Sequence, residues 1–189
     1  MSLALGKAPE LVVSQWFNSK KNLRLDDLKG KITIVHAFQM LCPGCVSHGL
    51  PQASRMHEKL SVDDFNVIGL HTVFEHHAVM GPEALSAFIH EYRLTFPIGV
   101  DAADTKSPIP QTMRAWGLQG TPSVIVLDRH SNIRAKYFGR ADDFALGLLL
   151  GNLLAEASTE IAAETGHIQG GAQCDADGCA IGHSRVRTS

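Results

Sequence analysis

An apolar run, Ile32-Thr-Ile-Val-His-Ala-Phe38, is followed, after three intervening residues, by Cys42-Pro43-Gly44-Cys45, and no other stretch constrains the fold as much. The run reads as a buried β-strand, and the C-x-x-C at its exit reads as the opening of a helix. Two thiols one helical turn apart can close a small disulfide ring. With Cys42 as N-cap, Pro43 falls at the first helical position, where its missing N–H costs nothing and its fixed φ already suits a helix. The Cys42 sulfur then faces free N–H groups and the positive end of the helix dipole, which favours thiolate over thiol. A thiolate is the nucleophile of disulfide exchange, and Cys45 is placed to resolve a mixed disulfide. Two other readings compete. A structural zinc would need four ligands, and no second C-x-x-C exists; alternatively the two thiols are inert and buried.

The 189-residue chain has room for one domain with a full core and an appendage. Its net charge of −2 offers no basic face for nucleic acid and no polybasic signal for a membrane surface. The longest apolar candidate, Phe144 to Leu154, is interrupted by Gly147, Gly151 and Asn152, so no transmembrane span is expected. The N-terminus lacks the basic and apolar regions of a signal peptide. A cytoplasmic location is therefore expected, or a periplasmic one if Met1-Ser2-Leu3 replaces a native leader. In a reducing compartment a cysteine pair is catalytic or metal-binding more often than a staple.

Along the chain, Leu11-Val12-Val13 and Leu23 to Leu25, parted by Lys20-Lys21-Asn22, predict a small N-terminal hairpin. A helix is expected from Cys42 or Pro43 to about Leu60, kinked by Pro51. Strands follow at Asn66–Val73 and Phe96–Val100, with a helix from Glu83 to Tyr92 between them whose inner face carries Leu85, Phe88, Ile89 and Tyr92. Gln111–Trp116 reads as a helix ended by Gly117. Ser123–Leu127 and Ile133–Phe138 read as an antiparallel pair, and a last helix from Asp142 or Asp143 turns Phe144, Leu148 and Leu149 inward. This order implies an α/β sandwich with a mixed central sheet. The domain is placed at residues 1–163, and a Gly- and Asp-rich tail at 164–189, with a short hairpin turning at Asp177-Gly178.

Three separated motifs, in order, resemble the TlpA/DsbE-like branch of the thioredoxin fold, within the redoxin, AhpC/TSA-related superfamily. They are Leu28-Lys-Gly-Lys-Ile-Thr-Ile-Val; Cys-Pro-Gly-Cys with Pro51 six residues beyond; and Ala115-Trp-Gly-Leu-Gln-Gly-Thr-Pro-Ser-Val-Ile-Val-Leu-Asp-Arg-His-Ser-Asn, where Asn132 replaces a usual glycine. The resemblance covers roughly residues 8–157. It implies a thioredoxin-like fold and a thiol–disulfide oxidoreductase with Cys42 and Cys45 as the redox pair. It also implies a cis bond at Thr121-Pro122 beside the disulfide, with the backbone before the proline pairing an extended substrate chain that Pro43 and Gly44 also face.

Two positions depart from the family. Leu41 stands where a Trp usually precedes the first cysteine, leaving the disulfide less shielded. His36 stands where thioredoxins bury an acid; it can relay the proton of Cys45 or be an ordinary core histidine. Glu75 matches an acid that some relatives place near the disulfide, and is either an acid–base group or a solvated loop residue. His76 and His77 beside it have no spacing that supports a metal.

Cys174 and Cys179 form a second pair with three competing readings: a disulfide pinning the tail, a mobile redox pair serving Cys42–Cys45, or a zinc site with His167 and His183. For the domain itself the expected partners are a protein thiol or disulfide and an upstream reductant, without nucleic acid or membrane. No cofactor or metal beyond the redox disulfide is expected. A peroxidase is disfavoured because Gln39 occupies the place of the hydroxyl donor three residues before the cysteine. A non-enzymatic adaptor or metal-binding module is the third possibility.

Overall fold

The computed structural model describes residues 5–164 and, in the tail, 174–175 and 178–179. Its centre is a six-stranded sheet ordered β1-β4-β3-β2-β5-β6. The strands are β1 Val13–Phe17, β2 Ile32–Phe38, β3 Phe65–His71, β4 Ile98–Asp101, β5 Ser123–Leu127 and β6 Ile133–Phe138. The pairs β2/β3 and β3/β4 are parallel and the other three antiparallel, so the sheet is mixed, as expected. All seven residues of β2 are buried, because it lies inside the sheet with a packed layer on each face.

Alternation along β2 separates those layers. Ile32, Ile34 and Phe38 join Cys45, Leu50, Ala53, Leu146, Leu149, Leu150 and Leu153 in one core. Val35 and Ala37 join Leu25, Leu28 and Trp116 in the other. Helices α2 Leu50–Lys59 and α3 Pro82–Glu91 supply the crossovers between parallel strands; α1 Leu25–Leu28 and α4 Gln111–Ala115 are short, and α5 is Asp143–Glu164. Gly117, at φ +60°, follows α4 as its expected stop.

Four local expectations are corrected. The N-terminal segment forms no hairpin: β1 pairs with β4, and Leu25 enters the one-turn α1, because its side chain and that of Leu28 find burial under the sheet. Pro51 does not simply kink its helix. Residues 45–49 form a π-helical turn, with the Leu50 N–H donating to the Cys45 carbonyl five residues back, which accommodates the donor that Pro51 lacks. On α5 the inward face is Leu146, Leu149, Leu150 and Leu153, while Phe144 and Leu148 are exposed. The helix starts at Asp143 with Asp142 capping it, its Oδ1 accepting the Ala145 N–H at 2.9 Å; because the segment is apolar on nearly every side, packing against the core decides which face turns inward. On α3, Tyr92 is exposed and stacks on Phe88 at 4.2 Å.

By its contacts the chain divides into Met1–Leu154 and Ala155–Ser189. In the second unit β7 Cys174–Asp175 and β8 Gly178–Cys179 pair antiparallel, Cys174 opposite Cys179 and Asp175 opposite Gly178. Gly178 therefore belongs to a strand rather than to the turn. The side chains of this pair, and His167 and His183, lie outside the described residues. Among the described residues no helix is long and apolar enough to cross a membrane.

Candidate active site

The site begins where β2 ends. Helical backbone starts at residue 43, immediately after Cys42, as the proline and glycine predict. Cys42 and Cys45 are joined by a disulfide. The two sulfurs sit in different surroundings. Cys42 is partly exposed, and its Sγ accepts the Cys45 N–H at 3.2 Å, one of the donors freed at the helix start. Cys45 has no exposed surface and belongs to the core.

Thr121-Pro122 closes over this helix start. The bond is cis, and Cys42 Sγ lies 3.5 Å from the Thr121 carbonyl oxygen. Two glycines let the helix approach the proline ring. A Cβ on Gly44 would meet Pro122 Cδ at 3.2 Å, and one on Gly49 would meet Pro122 Cβ at 3.2 Å. Gly49 was no part of the sequence-level site; its spacing of seven from Cys42, placing it on the same helical side, was the available signal. Gly139 N–H donates to the Pro122 carbonyl at 2.8 Å, so the β6–α5 connection is fixed to the same loop.

His36 lies wholly buried on β2. By alternation it faces the layer that contains Cys45, with Ile34 and Phe38 on either side. Its Nε2 has no hydrogen-bond partner, and burial pushes the imidazole down to about 4, so it is neutral at physiological pH. His71 on β3 is opposite Phe38 in the ladder, with ring centroids 5.2 Å apart. Burial likewise lowers it to about 4, and neither ring nitrogen has a partner. Sequence reading did not single out His71, because its burial depends on pairing between β2 and β3.

Glu75 is exposed, so the solvated-loop description fits its side chain, but it is tied to the site. Gln39 Nε2 donates to Glu75 Oε1 at 3.3 Å, while Gln39 Oε1 accepts the Phe74 N–H at 3.2 Å. The Gln39 carbonyl accepts the Cys42 N–H at 3.2 Å. Gln39 thus clamps the loop after β3 to the loop that presents Cys42. Leu41 is 58% exposed, in keeping with a less shielded disulfide, and Pro43 is exposed as well. Among the described residues no group of three or more His, Cys, Asp or Glu could hold a metal ion.

The pattern of the AhpC/TSA family matches residues 6–136, which carry the whole disulfide site and the cis-proline loop. The chain belongs to the AhpC/TSA family. Within solved structures, this AhpC/TSA chain is similar to a thiol-disulfide isomerase from Corynebacterium glutamicum, at 52% identity and a TM-score of 0.74, over 78% of this chain and 96% of that one. A thioredoxin-like superfamily protein is 48% identical with a TM-score of 0.77, over 79% and 96% of the two chains. A protein assigned as the thiol:disulfide interchange protein DsbE from Chlorobium tepidum shares 18% identity with a TM-score of 0.57 over 86% and 99%, a likeness of fold alone. Among curated proteins no sequence matches. The family's fold is thus thioredoxin-like here, as the three motifs imply.

Proposed function

We propose that this AhpC/TSA chain is a thiol–disulfide oxidoreductase that exchanges disulfides with a protein partner through Cys42 and Cys45. The observation that carries the reading is the asymmetry of the pair: a partly exposed sulfur accepting an N–H at a helix start, and a second sulfur sealed in the core three residues on. In the reduced protein the Cys42 thiolate attacks one sulfur of the partner's disulfide, and the partner's other sulfur leaves as a thiolate that takes up a proton. The Cys45 thiol gives up its proton and attacks Cys42, releasing the second partner thiol. One disulfide is thereby reduced and one formed, with two electrons passing to the partner. An upstream dithiol reverses the change, and no cofactor is needed.

The Thr121 backbone and Pro122 would seat the partner's extended chain against Pro43 and Gly44. Glu75, held through Gln39, would exchange protons with solvent at the rim. His36 would pass the Cys45 proton; a base with a pKa near 4 can hand a proton on but holds it poorly at neutral pH. Peroxide reduction is less well supported, because the Gln39 side chain that replaces the hydroxyl donor is already engaged by Phe74 and Glu75.

Alkylation of the reduced protein against pH tests the assignment. Cys42 should react first at neutral pH, as a thiol at a helix N-terminus titrates below the usual ~8.5. Preferential labelling of Cys45 would reverse the roles. The potential of the pair then gives direction and compartment: about −270 mV suits a thioredoxin-like reductant of the cytoplasm, and about −120 mV an oxidant of the periplasm. Replacing Cys174 and Cys179 by Ser asks whether the tail pair relays electrons. Unchanged turnover with a physiological reductant would exclude a relay.

A further inference from the structure

Beside Pro122 lies a cavity of about 230 Å³ between the helix that follows Cys45 and the β6–α5 connection. Gly49 and Pro122 form one wall, and Ser47, His48, Gln52, Arg55, Arg140 and Asp143 supply its charged and polar lining. The one acid is already engaged. Asp143 Oδ1 accepts from Gln52 Nε2 at 2.5 Å, and Oδ2 accepts from Arg55 at 3.3 Å. Gln52 Nε2 also donates to the Ala141 carbonyl at 3.0 Å, which holds the connection against α2.

Arg140 is left over. It is exposed at the cavity, and no acidic side chain among the described residues pairs with it. Its position is set by its neighbour, Gly139, which bends at φ +80° and donates to the Pro122 carbonyl. With His48 counted as neutral, two guanidinium groups and one carboxylate leave the lining with one uncompensated positive charge. That sign opposes the chain's net charge of −2, so the charge is local to this place rather than a general property of the surface.

We propose that this cavity is a subsite for a carboxylate carried by the disulfide partner, with Arg140 as its specificity-determining residue. The inference rests on the thiol-exchange reading above and names the class of substrate that reading leaves open. Pro122 touches the helix start at Gly44 and the cavity wall at Gly49, so the subsite begins one proline ring from the disulfide loop. An extended partner chain advances about 3.3 Å per residue, so the subsite accepts a side chain within about three residues of the attacked cysteine. An Asp or Glu there meets the Arg140 fork, and a Lys or Arg is repelled. A carboxylate can come from a protein segment or from a small anionic tripeptide disulfide such as glutathione disulfide. The protein segment is favoured because the cavity shares Pro122 with the Thr121-Pro122 loop, where the reading above seats an extended chain.

The test uses the reduced full-length protein and three peptide disulfides, identical except for Glu, Gln or Lys two residues from the cysteine. Stopped-flow exchange rates at low salt should fall in the order Glu, Gln, Lys, with Glu over Lys by about three- to tenfold, and the ratio should shrink as salt rises. Arg140→Glu should abolish or invert the ratio, and Arg140→Lys should keep its sign. Lys106→Glu, an equal change of net charge at an exposed loop, should leave the ratio as in the wild type. Glutathione disulfide forms a further arm. If it alone shows dependence on Arg140, the source is the small molecule and the protein-segment choice is overturned. Equal rates for the Glu and Lys peptides, or a ratio untouched by Arg140→Glu, would overturn the subsite while leaving thiol exchange standing. Failure of the reduced protein to exchange with the Gln peptide would overturn the thiol-exchange reading itself.

Discussion

Cys45 has no exposed surface and shares a core with Ile34, Phe38, Leu50 and Ala53, whereas Cys42, three residues earlier, reaches solvent beside the Thr121 carbonyl. The contrast extends to their neighbours. Below the disulfide, His36 and His71 are buried, with no partner for His36 Nε2 or for either ring nitrogen of His71, and each is held near 4 by burial. Above it, Glu75, Thr121 and Arg140 lie in loops that reach solvent, where hydrogen bonding and charge act in the presence of water, and the buried Gln39 side chain lies between floor and rim. The floor therefore governs stability and, on the proposed function, the state of the resolving sulfur. On the same proposal the rim governs which partner approaches and how fast. A dry floor makes every missing atom expensive, while screening keeps each rim contact small.

The contrast is sharpest at the two cysteines. Cys42→Ser should abolish exchange with a peptide disulfide. Cys45→Ser should retain the first attack and accumulate a mixed disulfide on Cys42, visible by mass spectrometry of the intact protein. Trapping on Cys45 in the Cys42→Ser protein would erase the distinction between floor and rim.

The next largest effect belongs to the floor. Phe38→Ala should cost about 3–5 kcal/mol in denaturant unfolding, since it opens a cavity between β2, β3 and the Cys45 layer. Loss of less than about 1 kcal/mol would mean that this layer can collapse around the gap and is not rigid.

Acid probes the same region. Both histidines have folded values near 4 against 6.5 unfolded, so between those limits the unfolded chain binds more protons and folding weakens as pH falls. That part of the stability is intact above about pH 6.5, and the loss is up to ~3 kcal/mol for each histidine. His36→Leu should flatten the dependence of the urea midpoint between pH 6.5 and 4. An unaltered slope would show that His36 is hydrated in solution.

The smallest change is expected where floor meets rim. Gln39→Ala removes two side-chain hydrogen bonds, to Phe74 N–H and Glu75, from a buried position and should cost about 1–2 kcal/mol. Its clearer signature is faster hydrogen exchange at the Phe74 amide. Protection equal to wild type there would mean that the two loops are held by something other than this clamp.

Much of the fold was legible because it is local. The buried β2 run, the Cys42-Pro43-Gly44-Cys45 helix start, the Gly117 stop and the β5–β6 antiparallel pair each announce themselves within a few residues. The errors fell where burial is decided by a distant neighbour. Leu23 and Leu25 look like half of a hairpin until β4 is seen to take β1 as its partner. The α5 pattern is apolar on nearly every side, so composition could not say that Leu146 rather than Phe144 turns inward. Of the site, the cysteines and Thr121-Pro122 were readable from motif. Gln39 was noticed only as a missing hydroxyl, and its role as a clamp needed the β3 exit loop beside it.

By itself the sequence determined a cysteine at a helix start, because N-cap, proline and glycine act on backbone groups within one turn and need no other segment. It equally determined the strand that feeds that helix and the hairpin beyond Pro122. Only the tertiary structure decided which sulfur is sealed and which histidine nitrogens lose their water. It alone decided that Pro122 rests on Gly44 and Gly49, and that Arg140 stands at a cavity whose one acid is already engaged. These depend on solvent exclusion and on atoms from segments tens of residues apart, and neither is encoded in any short stretch of chain.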